Sequence, residues 1–320
     1  MSDDFIQLHV QNRELIRAEL LAGLCAEQAQ TSPKYLYDAL GSKLFEAICE
    51  LPEYYPTRTE AAVFAAFAGQ IAASVGTGTT LIDLGAGNCA KAAQLFSSLR
   101  PKQYVPIDIS VDFLRDAVSS LRQRFPGIAM FGVGMDFSRS LDLPPAVCPQ
   151  RRLFFYPGSS IGNYSPREAL AYLQRIRGAC AAGSDARGLL IGIDLVKDVT
   201  LLDDAYDDAL GVTAAFNLNM LRHLNTLLDA NFNVRDWRHH GFFNAAASRI
   251  EMHLEARHAL TVTWPGGERR FARGERIHTE SSYKYTQQAF KALLEKAGFS
   301  LLQSWTDSRE WFMVCHAQAV

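Results

Sequence analysis

Leu15, Ile16, Leu20, Leu21 and Leu24 recur on one helical face and predict a helix within the first thirty residues. Thr31-Ser32-Pro33 breaks it. The stretch 35–55 is dense in aromatics and ends in Leu51-Pro52-Glu53-Tyr54-Tyr55-Pro56. Its two prolines restrict the backbone and predict a rigid turn or loop. Thr57 and Glu60 stand at capping-box spacing and predict a helix that starts there and stops near Gly76.

From Thr80 the pattern changes. Residues 81–84 form a short apolar strand that runs straight into Gly85-Ala86-Gly87-Asn88, and a helix is expected from 89 to 99. Strand 104–109, helix 114–125, strand 128–133, strand 152–156, helix 166–181 and strand 188–196 follow in turn. Strands alternating with helices in this way predict an α/β fold, a parallel doubly wound sheet with helices on both faces. The alternation fails over 197–285. A long helical stretch is followed there by segments at 250–254 and 259–264 that read as antiparallel strands, an inserted α+β domain. A helix at 289–297 and strands at 301–305 and 311–317 resume the sheet. The expected division is 57–196 plus 286–320 for the Rossmann-like domain, and 8–56 plus 197–285 for a second domain. An interrupted domain of this kind usually places a substrate cleft at the junction.

Composition narrows the function. The 320 residues are 48% hydrophobic and 21% charged, enough for a sizeable core without staples. Lys+Arg 32 against Asp+Glu 34 gives a net charge of −2, so no global basic field favours nucleic acid or an anionic membrane. The six cysteines are scattered without CxxC spacing, which points to reduced thiols rather than a disulfide or zinc framework. The start, Met1-Ser2-Asp3-Asp4, is acidic and leads into no apolar signal core. No apolar run approaches the ~18 residues of a membrane span. A cytoplasmic monomer is expected.

Gly85-Ala86-Gly87 directly after the first strand is where an open α/β sheet meets a ligand, because glycine lets the backbone approach closely. Asp108 ends the next strand and suits ribose hydroxyls. The alternative is a tight turn and a solvated carboxylate. Ala90 is an allowed variant of the third dinucleotide-fingerprint position, so NAD fits the spelling. The later strand pair and the polar loop after strand 152–156 favour the S-adenosylmethionine (SAM) variant of the sheet. Asp136 is a second acid at a strand end, either near an adenine amine or a simple cap. Asn163 can both donate and accept; its alternative is an Asx turn. Tyr37, Phe45, Tyr54, Tyr55 and Tyr206 suit a core as well as a site, and Glu280 reads locally as a solvated edge carboxylate. His239-His240, His253 and His258 have no metal spacing on one helix, and HExxH and GxSxG are absent, so neither a metal nor a hydrolase elbow is assigned.

Further motifs carry a resemblance that runs from about residue 31 to the end. They are Tyr37-Asp38-Ala39-Leu40-Gly41-Ser42 with Leu44-Phe45, Leu51-Pro52-Glu53-Tyr54-Tyr55-Pro56-Thr57-Arg58 and Gly158-Ser159-Ser160-Ile161-Gly162-Asn163. Asp194-Leu195-Val196-Lys197-Asp198, Ala205-Tyr206-Asp207-Asp208, Gly211 to Asn217, Arg249-Ile250-Glu251-Met252 and Thr279-Glu280-x-Ser282 complete the set. Together they resemble the histidine-specific N-α-methyltransferases that make hercynine in ergothioneine biosynthesis. The resemblance implies a SAM-dependent Rossmann-like domain plus a substrate domain. It places Tyr37, Gly85, Lys91, Asp108 and Asp136 at the SAM site, and Tyr54, Asn163, Tyr206, Met252, Glu280 and Ser282 around histidine. It also replaces the local reading of Glu280. Met252 with Glu280 implies histidine over tryptophan, which related enzymes accept.

The implied reaction is three transfers from SAM to the α-amine of L-histidine, giving trimethylhistidine and S-adenosylhomocysteine. Glu280 and Ser282 would grip the imidazole, Asn163 and Tyr206 the carboxylate and amine. Tyr37 and Asn163 would act catalytically by orienting the amine. An NAD-dependent oxidoreductase, a nucleic-acid methyltransferase and a non-catalytic SAM-binding module are the rivals.

Overall fold

The computed structural model describes residues 4–8, 12–109 and 111–320. The acidic start Met1-Ser2-Asp3 and residues 9–11 of the expected second domain lie outside them. The chain divides into two compact units, Met1–Val10, Arg58–Leu195 and Tyr285–Val320 forming the first, Gln11–Thr57 and Val196–Lys284 the second.

Along the chain the first unit contributes β1 (Phe5–Gln7), β2 (Thr80–Leu84), β3 (Gln103–Asp108), β4 (Ala129–Met130), β5 (Gly132–Gly134), β6 (Arg152–Tyr156) and β7 (Gly188–Asp194). The second contributes β8 (Trp237–Asn244), β9 (Arg249–Ala256), β10 (Leu260–Trp264), β11 (Gly267–Phe271) and β12 (Arg276–Tyr283). The chain then returns to the first for β13 (Phe299–Thr306) and β14 (Phe312–Ala319).

In the first unit the sheet order is β1-β5-β3-β2-β6-β7-β14-β13, with β4 beside β3. All pairs are parallel up to β7, while β14 and β13 run antiparallel. Every residue of β2, β6 and β7 is buried, as strands covered on both faces must be. Strand order reverses across β2, so its carboxyl end is the topological switch point where such sheets bind ligands. Helix Pro166–Ala181 starts and stops where the sequence predicts. Pro166 takes the first turn, and Ser165 and Glu168 close a reciprocal capping box.

Three expectations shift. The helix expected over 89–99 is two short pieces, Ala90–Ala93 and Phe96–Leu99. The strand expected over 128–133 is broken at Phe131 into β4 and β5. The helix expected from Thr57 already begins at Tyr55, in Tyr55–Val75. Pro56 is thus an early helical residue, where a missing N–H costs nothing. Thr57 is no cap, and its hydroxyl instead reaches Cys49 Sγ at 3.4 Å.

In the second unit, helices Arg13–Leu24, Ala39–Cys49, Val199–Asp204 and Val212–Leu228 accompany the antiparallel sheet β12-β9-β8 and the hairpin β10-β11. The residues before Tyr55 are therefore more helical than the aromatic, proline-flanked pattern predicts. Asp38 caps Ala39–Cys49 through the Gly41 amide at 2.6 Å. Gly41 is required there, because a Cβ would lie 1.8 Å from the Leu36 carbonyl oxygen. Leu20, Leu24, Phe216, Met220, Leu224 and Leu254 are among the buried core.

Candidate active site

In the first unit the glycine loop follows directly on the end of β2. Gly85 and Gly87 adopt φ of +72° and +51°, conformations that cost little only for glycine. The Gly85 and Ala86 amides bond the Ile107 carbonyl, and the Gly87 amide donates to Asp108 Oδ2 at 2.9 Å. Asp108 therefore organises the glycine loop as well as ending β3. A Cβ on Gly87 would meet nothing within 4 Å, so the loop backbone borders open space.

Lys91, in the short helix after that loop, pairs with Glu60 Oε2 at 2.6 Å. Glu60 Oε1 accepts the Gly158 amide at 2.6 Å, and Glu60 is 1% exposed. One buried carboxylate thus joins the loop after β2 to the loop after β6. Gly158 and Ser159 there have φ of +76° and +56°, and the turn Ser160–Asn163 follows. Among the described residues no Asx turn engages the Asn163 amide; the Tyr164 N–H bonds Ile161 O instead. Asp136 accepts the Ser138 amide at 3.1 Å and pairs with Arg139 at 3.3 Å, so it does cap its turn.

In the second unit five predicted substrate residues gather around one strand pair. A bulge at Thr279 decides this. His278 pairs with His253, but the next pair is Glu280 with Met252, and two residues on, on the same face, Ser282 pairs with Ile250. Side chains alternate faces, so the extra residue moves Glu280 and Ser282 to the Met252 face, away from His278. Thr279 Oγ1 donates to the Met252 carbonyl at 3.0 Å and pins the bulge.

Tyr206 Oη lies 3.0 Å from Ser282 Oγ, and Lys284 Nζ donates to both, at 3.0 and 2.9 Å. Tyr54 sits 6.1 Å from Tyr206 between ring centroids. Burial holds the Tyr54 phenol well above its ordinary range, and Tyr206, Cys49, Tyr37 and Glu280 add to the effect. Glu280 is 9% exposed, and burial pushes its carboxyl up to about 7 against the opposing charge of Lys284. Tyr37 belongs to this unit, its ring 5.5 Å from Phe45 and 5.4 Å from Phe216. Phe45 is 6.1 Å from Tyr54, which completes an aromatic wall.

Tyr206 is further fixed from behind. The Asn217 amide donates to His239 Nδ1 at 2.9 Å, so the His239 proton sits on Nε2 and donates to the Tyr206 carbonyl at 2.8 Å.

A model of the family "Histidine-specific methyltransferase, SAM-dependent" matches residues 16–319. The chain belongs to this family. A histidine N-alpha-methyltransferase of Mycolicibacterium smegmatis is 39% identical over 300 residues, 92% of each chain. One of Mycobacterium tuberculosis is 37% identical over 91% of each. The ergothioneine biosynthesis protein 1 of Neurospora crassa is 27% identical over 86% of this chain and 32% of its own length.

The chain is accordingly a SAM-dependent methyltransferase, and the oxidoreductase alternative falls. For this methyltransferase the Gly87 backbone, the Asp108 carboxylate and the open space beside them fit a SAM binding site. Two residues escaped the sequence reading. Glu60 was read as a cap, though a carboxylate amid Ala61-Ala62-Val63-Phe64 already signals a buried partner. Asp83 is 1% exposed within an apolar strand. Burial pushes it up to about 7, although Tyr104 donates to it at 2.7 Å.

The metal question looks different on strands than on a helix. Register brings Glu251, His253 and His278 together, their ligand atoms within 4.8 Å of one another. Hydrogen bonds engage the carboxylate and one nitrogen of each ring, while His253 Nδ1 is buried without a partner among the described residues. Glu251 bonds Arg249, Asn244 and His253, and His278 Nε2 bonds the Glu280 carbonyl at 2.9 Å. No helix among the described residues is long and apolar enough to cross a membrane.

Proposed function

We propose that this methyltransferase transfers the SAM methyl group to the α-amine of L-histidine three times, giving trimethylhistidine, in ergothioneine biosynthesis. The observation that carries the reading is the strand face holding Met252, Glu280 and Ser282 beside Tyr206. A buried carboxylate and a hydroxyl stand there two residues apart, a spacing suited to the two nitrogens of one imidazole. Family membership and the names of the mycobacterial and fungal relatives support it.

In this reading the first unit binds the cofactor through Gly85, Lys91, Asp108 and Asp136, and the second unit binds the substrate. SAM supplies an electrophilic methyl group. The residues have to align a neutral α-amine in line with it, and positioning alone accounts for a large share of such rate enhancements. Asn163 and Tyr206 hold the carboxylate and amine, with Tyr54 beside the ring. Tyr37, whose ring lies among Phe45 and Phe216, orients the amine as it gains methyl groups, and aromatic faces tolerate its growing charge. Glu280 accepts the ring N–H, so a side chain lacking that donor leaves the carboxylate unpaired. All these residues lie on one chain, in keeping with a monomer.

The test is to incubate the protein with SAM and L-histidine and follow products by mass spectrometry. Successive mono-, di- and trimethylated histidine is expected. Accumulation of monomethylhistidine as end product would overturn the threefold reaction, and no methylated histidine would overturn the substrate.

A further inference from the structure

Lys284 follows β12, two residues beyond Ser282, and is 3% exposed. Its ammonium lies 2.9 Å from Ser282 Oγ, 3.0 Å from Tyr206 Oη and 4.7 Å from the centroid of the Tyr206 ring. The two hydroxyl oxygens are themselves 3.0 Å apart, so the three groups close a triangle.

Donor and acceptor accounting orders this triangle. An ammonium only donates, so Lys284 gives a proton to each oxygen. Between the two hydroxyls one must donate to the other. A phenol is far more acidic than an alkyl hydroxyl and hence the better donor, and the neighbouring positive charge polarises it further. Tyr206 therefore donates to Ser282. Ser282 Oγ now accepts two hydrogen bonds, which fills both its lone pairs. Its own proton must point elsewhere. A serine ordinarily serves a ligand as donor or acceptor; here that choice is gone.

We propose that Lys284 is a positioning residue that, acting with Tyr206, makes Ser282 an obligate donor, so that the site accepts an azole ring only when it presents an acceptor nitrogen to Ser282 and an N–H to Glu280. The inference rests on the reading that this unit holds histidine. It selects the neutral imidazole in one tautomer. An imidazolium would set an N–H against the serine proton. A protonated Glu280 can still accept the ring N–H through its carbonyl oxygen, but it does so more weakly than the carboxylate. The Lys284 charge also counters the burial of Glu280 and so favours its carboxylate form.

The test is a double-mutant cycle on the full chain with Lys284→Met, Ser282→Ala and the double variant. Histidine KM, kcat and SAM affinity by calorimetry are read for each. Lys284→Met is expected to raise KM about tenfold or more, the size of a lost hydrogen bond in a buried site, while kcat at saturation and SAM affinity stay close to wild type. In that background Ser282→Ala should add little, because the serine proton has lost its imposed direction. Multiplicative effects of the two substitutions, or an unchanged KM in Lys284→Met, would overturn the proposal. Should Lys284→Met fail to fold, Lys284→Gln, polar but uncharged, takes its place in the same cycle, with the same two outcomes. Wild-type turnover of histidine is the control. Its absence would overturn the substrate reading itself, whereas normal wild-type turnover with multiplicative effects would remove only the role of Lys284.

Discussion

Glu60 offers the sharpest perturbation of the cofactor side. Its carboxylate is 1% exposed and makes two contacts of 2.6 Å, to Lys91 Nζ and to the Gly158 amide. Glu60→Ala removes both. Breaking a fully buried ion pair costs about 3–5 kcal/mol, but the Lys91 side chain is 37% exposed, so water recovers part of its solvation and about 2 kcal/mol is the better figure. The orphaned Gly158 amide adds about 1 kcal/mol. A total near 3 kcal/mol is expected in urea unfolding monitored by circular dichroism. Glu60→Gln keeps an acceptor for Gly158 and loses the charge, so about half of that loss is expected. Because the residue joins the loops after β2 and β6, SAM affinity by calorimetry should fall in the same order, Ala more than Gln. Equal stability of all three proteins to within about 0.5 kcal/mol, with unchanged SAM affinity, would refute the claim that this carboxylate organises the cofactor loops.

Three further outcomes follow from the site and its supports. Histidine KM should rise as pH falls through about 7, where the raised Glu280 carboxyl takes up its proton, and a Glu280→Gln protein should lose this component of the acid limb; an identical pH profile in both would contradict it. Asp83 has its folded-state value raised from 3.8 to about 7, so its contribution is fully present below 3.8 and is lost as pH rises through 7. Asp83→Asn keeps an acceptor for Tyr104 and should raise stability at pH 8 by up to about 4 kcal/mol with little gain at pH 4, as thermal unfolding at both pH values would show. Gly41→Ala forces a Cβ to 1.8 Å from the Leu36 carbonyl and should cost about 3 kcal/mol, checked by denaturant unfolding.

Much of the sheet was legible because its strands are short apolar runs bounded by turn residues, as at Arg152–Tyr156, and because capping chemistry is local, as at Ser165-Pro166. The glycine loop and Asp108 were legible for the same reason. What sequence periodicity could not supply is the consequence of register. His278, Glu280, Ser282 and Lys284 alternate as if on one face, and only the bulge at Thr279 separates His278 from the other three. The strand β8 escapes the hydropathy pattern because the positions it buries, Trp237, the side chain of His239 and Gly241, include a histidine and a glycine, so alternating burial is not written as alternating hydropathy. Glu60 was misassigned because a capping box is a pattern of residue types. Tyr55 and Pro56 start the helix two residues earlier, which moves Glu60 from the cap to the buried face. The roles of Lys284 and Asp83 depend on partners 78 and 21 residues away, beyond the reach of any local pattern.

The central claim is that the strand face with Met252, Glu280 and Ser282 selects imidazole. It is tested most directly by competition, supplying the protein with SAM and an equimolar mixture of the amino acids and identifying by mass spectrometry which α-amines become methylated. Methylation confined to histidine is the predicted result. Preferential methylation of tryptophan or of any side chain lacking a ring N–H opposite an acceptor nitrogen would contradict it.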